Sequence, residues 1–194
     1  QSNLGRKMNP YYVLMSAVTY YFCDMNGSSK VMMDYLAGLN NFQFFAAGLE
    51  NIIMRLLDSN YEFDINTIDK KYMDIVDNII KYHDTFFACE NPVEIDFNSI
   101  KSYTYHVGSD REILFTEIIL AILKKKTYNS CITLMPLYSE ISLTEWIETF
   151  KNNMMLREMW ASQILLGKAG IFRGTSGVIQ MPTSSGKTTS VALT

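Results

Sequence analysis

The chain has 194 residues, 48% of them hydrophobic and 19% charged, with a formal net charge of −3 at pH 7. That is apolar material enough for the core of one medium domain and too little charge for a disordered chain. Residues 1–141 hold 12 Lys/Arg against 17 Asp/Glu, and residues 142–194 hold 5 against 3, so the larger part offers no broad basic footprint for a phosphate backbone.

Pro10 suits the first turn of a helix reaching about Met25, with Tyr11, Leu14, Met15, Val18 and Phe22 on one stripe. This apolar run is too short to cross a bilayer. Asn26-Gly27 marks its end, and Ser28 or Ser29 caps a second helix through about Leu39. A third helix is expected near Phe42–Leu57, with Phe45, Leu49, Ile52, Ile53 and Leu56 periodic. Asn66-Thr67 opens a fourth to about Phe87, where Ile68, Tyr72, Ile75, Val76, Ile79 and Tyr82 recur at three and four. Asp69, Asp74, Asp77 and Asp84 mark its wet face.

From Glu90 to Gly108 the helical pattern fails, and Ser102–Val107 predicts a short strand with His106 in a packing or hydrogen-bonding role. Two capping boxes follow, Ser109-Asp110-Arg111-Glu112 and Ser142-Leu143-Thr144-Glu145. They start helices near 110–126 and 143–155, with Pro136 in the link between them. Lys124-Lys125-Lys126 is the only basic run, and it reads as the solvated C-terminus of a helix. Cys23, Cys89 and Cys131 are too few and too far apart for a zinc site or a disulfide framework. They are expected as buried thiols of a cytoplasmic protein.

The most specific chemistry lies in the last seventeen residues, 178–194. The apolar run Val178–Met181 predicts a strand, and Thr189–Leu193 predicts a helix start. Between them stands Pro182-Thr183-Ser184-Ser185-Gly186-Lys187-Thr188. Strand, small-residue loop and helix is the order in which a phosphate-cradling loop is built. In such a loop the backbone N–H groups converge on the β-phosphate, helped by the positive end of the following helix. Lys187 would reach the β- and γ-phosphates, and the Thr188 hydroxyl would bind Mg²⁺. Upstream, Trp160-Ala161-Ser162-Gln163 places Gln163 24 residues before Lys187. An amide there can donate to N7 and accept from N6 of adenine. Gln163 also reads as an exposed helix glutamine, and Trp160 as a core residue.

The form Pro-Thr-x-x-Gly-Lys-Thr, with Met181 where a first glycine would stand, resembles motif I of the superfamily 2 (DEAD/DExH-box) helicases. The resemblance covers about residues 156–194. With the helices read above, this makes a mainly α chain: a helical accessory domain at 4–150, then, as the resemblance implies, 151–194 as the first strand-loop-helix of a RecA-like α/β motor domain. It further implies the N-terminal part of an ATP-dependent helicase or translocase, of the kind found in bacterial defence and repair systems. Lys187 and Thr188 would be its catalytic residues, and Gln163, Thr183, Ser184, Ser185, Gly186, Lys187 and Thr188 its ATP and Mg²⁺ contacts. DNA or RNA would be the partner of the complete motor, and a protein partner could sit on the helical domain. Residues 4–150 are expected to fold unaided. The alternative reading is a helical protein-interaction or regulatory module with an idle loop.

Overall fold

A computed structural model describes residues 8–38, 48–58, 61, 64–89, 94–152, 158–181 and 190. The described residues are mainly helical. The α-helices are α1 (Pro10–Phe22), α2 (Asn26–Gly38), α3 (Glu50–Leu57), α4 (Met73–Phe87), α5 (Phe97–Val107), α6 (Asp110–Tyr128), α7 (Cys131–Ser139), α8 (Leu143–Asn152) and α9 (Ala161–Lys168). Short 3₁₀ turns stand at Ile65–Thr67, Lys70–Tyr72 and Ile171–Arg173. Among the described residues no helix is long and apolar enough to cross a membrane.

The chain divides into two units. One comprises Gln1–Val76 and Asn98–Ile122, the other Asp77–Phe97 and Leu123–Thr194. The division passes through α4 and α6. The boundary expected at 150/151 falls inside the second unit. The physical reason is packing: Met159 is buried with Cys131, Leu134 and Met135, and Ile164 and Phe172 lie against the same cluster. Side chains beyond residue 150 therefore complete a helical core.

In the first unit, α1 begins where Asn9 Oδ1 accepts the Tyr11 N–H at 3.0 Å and Pro10 occupies the first turn. It stops sooner than expected, at Phe22, because Asp24 takes a left-handed conformation at φ 60°. Asn26 and Gly27 consequently belong to α2. Ser29 does not cap that helix; its buried hydroxyl donates to the Ala17 carbonyl of α1 at 2.8 Å. Val13, Leu14, Ala17 and Val18 of α1, Met33 and Leu36 of α2, and Ile52, Ile53 and Leu56 of α3 are buried. The third helix is described only from Glu50; the segment expected before it at 42–47 lies outside the described residues.

The strand expected at 102–107 is instead part of α5. The β-branched and aromatic residues there gave a strand signal, but Ile100 and Thr104, one turn apart, are the ones that become buried. The Thr104 hydroxyl donates to the Ile100 carbonyl at 2.9 Å, a helical back-bond. His106 is exposed, with Nδ1 2.8 Å from the Ser102 carbonyl oxygen. Lys101 and Glu117 tie α5 to α6 at 2.6 Å.

The first capping box forms as expected. Glu112 Oε2 accepts from the Ser109 N–H at 2.8 Å and from its hydroxyl at 2.9 Å, while Lys71 Nζ approaches Oε1 at 2.9 Å. Burial pushes the Glu112 carboxyl up, but the Ser109 N–H, Lys71 and the Ser109 hydroxyl outweigh it and hold the pKa down at about 2, from 4.5. A depressed carboxylate stabilises the fold above its unfolded pKa and loses that contribution as pH falls through the folded one. We therefore expect the wild-type melting temperature to fall between about pH 4.5 and pH 2 more steeply than that of Glu112→Gln. Parallel melting curves for the two proteins would contradict the box as an energetic contact.

In the second unit, Pro136 lies inside α7 and not in a link. An interior Pro removes one helical bond and crowds the carbonyl four residues before it, at a cost of about 3 kcal/mol, which the burial of Cys131, Leu134 and Met135 on the same helix offsets. Ser130 supplies the nucleus: its hydroxyl accepts the Thr133 N–H at 3.1 Å, and its carbonyl accepts the Leu134 N–H at 2.9 Å. The second capping box also forms, Glu145 Oε2 accepting from the Ser142 N–H at 3.1 Å and its hydroxyl at 2.9 Å. Trp146 of α8 stacks on Phe150 and donates its indole N–H to the Ser139 hydroxyl at 3.0 Å. α6 runs on past the lysine run to Tyr128; Lys124 lies over the Phe97 ring at 4.9 Å.

Two of the three cysteines differ from the expectation of burial, Cys89 being only half-buried. Cys23 is exposed, because it is the residue that ends α1. Cys131 is buried, and burial together with the Glu158 carboxylate pushes its thiol up to about 12. Such a thiol stays protonated and inert.

Candidate functional site

Of the residues assigned to nucleotide, Gln163 is described. Thr183, Ser184, Ser185, Gly186, Lys187 and Thr188 lie outside the described residues, and so does the expected Mg²⁺ contact of Thr188. Among the described residues no group of three His, Cys, Asp or Glu could hold a metal ion.

The platform that carries Gln163 is built from the α6–α7 corner. The Met159 N–H donates to the Asn129 carbonyl at 2.8 Å, and Ser130 and Glu158 form an isolated antiparallel bridge. Glu158 and Lys126 pair across this junction at 3.4 Å, their side chains 10% and 15% exposed. The extended backbone at 158–160 then turns into α9 with Trp160 as the N-cap. An indole has no acceptor, so Trp160 cannot cap with its side chain. Gln163 performs the reciprocal half of a capping box instead. Its Oε1 accepts the Trp160 N–H at 2.7 Å. Gln163 is 1% exposed, which excludes the surface-glutamine reading. Trp160 itself is half-buried.

The far end of α9 depends on Gly167. A Cβ there would drive into the Tyr138 ring, which closes α9 onto α7. After α9 the chain turns twice in the left-handed region, at Gly170 (φ 81°) and Gly174 (φ 85°), around the 3₁₀ turn Ile171–Arg173. The Thr175 N–H donates to the Gly170 carbonyl at 3.2 Å, and Arg173 pairs with Glu140 at 2.6 Å in the open. The need for Gly167 and the Lys126–Glu158 pair went unforeseen. No helix is expected around Gly167 from the sequence, so nothing singled that glycine out.

Residues 175–181 carry no regular structure. Val178 is fully exposed at 103%, and Ile179 is 47% exposed. The strand expected at Val178–Met181 is therefore not formed. A parallel strand needs a hydrogen-bonded neighbour and cover on both faces, and neither exists among the described residues. Ser190, past the loop, is helical and buried.

No protein-family model, no curated protein and no solved structure matches the chain.

Proposed function

We propose that this chain carries the ATP-binding loop of an ATP-driven nucleic-acid motor of the helicase or translocase type. The observation that carries the reading is the segment Pro182–Thr188, in which small residues precede Gly186-Lys187-Thr188. Gly allows close backbone approach to phosphate, Lys187 supplies a cation for the β- and γ-phosphates, and Thr188 supplies a hydroxyl for Mg²⁺. Gln163, 24 residues before Lys187, stands where the resemblance puts the adenine contact; in this structure it is buried and caps α9. In this reading Val178–Met181 becomes a strand when the remainder of a parallel sheet pairs with it. Its exposed Val178 and Ile179 are the side chains such a sheet would cover. DNA or RNA would engage the assembled motor rather than the acidic stretch 1–141, which holds 12 Lys/Arg against 17 Asp/Glu.

Equilibrium titration with ATP tests the proposal. Saturable binding is expected with Mg²⁺ present and much weaker binding after chelation of Mg²⁺. GTP is expected to bind less well. Absence of any saturable ATP binding would contradict the proposal and favour the helical interaction module.

A further inference from the structure

We draw no further inference here: the strongest candidate, the half-buried aromatic patch of the second unit in which Tyr82 meets Phe86 and Phe97 and Lys124 lies over the Phe97 ring, is an unpartnered apolar face, and nothing in the structure shows what covers it.

Discussion

Phe115→Ala should destabilise the chain by about 3–5 kcal/mol, the cost of removing a fully buried aromatic and leaving its cavity. Phe115 is 1% exposed, among the largest fully buried side chains. It meets the Tyr11 ring edge-on with centroids 6.3 Å apart, and the Arg111 guanidinium lies over it at 5.4 Å. Arg111 also covers the Tyr11 ring at 5.3 Å and pairs with Glu50, whose side chain is 8% exposed, at 2.5 Å. Removing the ring therefore loses apolar burial and also loosens the cation that neutralises a buried carboxylate. Urea unfolding followed by circular dichroism measures the change. Phe115→Leu should lose clearly less, because it retains most of the volume. A loss below about 1 kcal/mol for Phe115→Ala would contradict the burial of Phe115 against Tyr11 and Arg111.

The helices were legible in the sequence where local chemistry decides them. Both capping boxes form the bonds their spacing implies, because Ser109 with Glu112 and Ser142 with Glu145 need only one turn of backbone. The fourth helix starts at Met73 and not at Asn66, after two 3₁₀ turns, but its wet face holds: Asp74, Asp77 and Asp84 of α4 are exposed, and so is Asp69, which caps the turn Lys70–Tyr72. Local chemistry misleads where burial decides. Ser102–Val107 has strand-forming residues but belongs to α5, since Ile100 and Thr104 bury at helical spacing. Pro136 looked like a link and sits in α7, since Ser130 nucleates that helix ahead of it.

The candidate site was legible in another sense. Its residue types and their order are a chemical pattern, readable without a fold. The environment of Gln163 was not readable. The usual cap signature has Ser or Thr three residues before Glu or Gln, and here Trp160 stands in that place, so the half-box escaped notice. The strand at Val178–Met181 depends on a partner strand, and no local feature can supply one.

Lys187 offers the most direct measurement of the central claim. On the proposed function its ammonium makes a charge-assisted contact with the ATP phosphates. Such a contact is worth about 1.5–3 kcal/mol, or about 10- to 100-fold in affinity. The wild-type chain and Lys187→Ala should be titrated side by side with ATP and Mg²⁺, with a thermal melt of each. The account predicts saturable binding by the wild type, binding about 10- to 100-fold weaker by Lys187→Ala, and superimposable melts without nucleotide. Equal affinity in the two proteins would contradict it, because a cradling loop that is indifferent to its lysine is not holding phosphate.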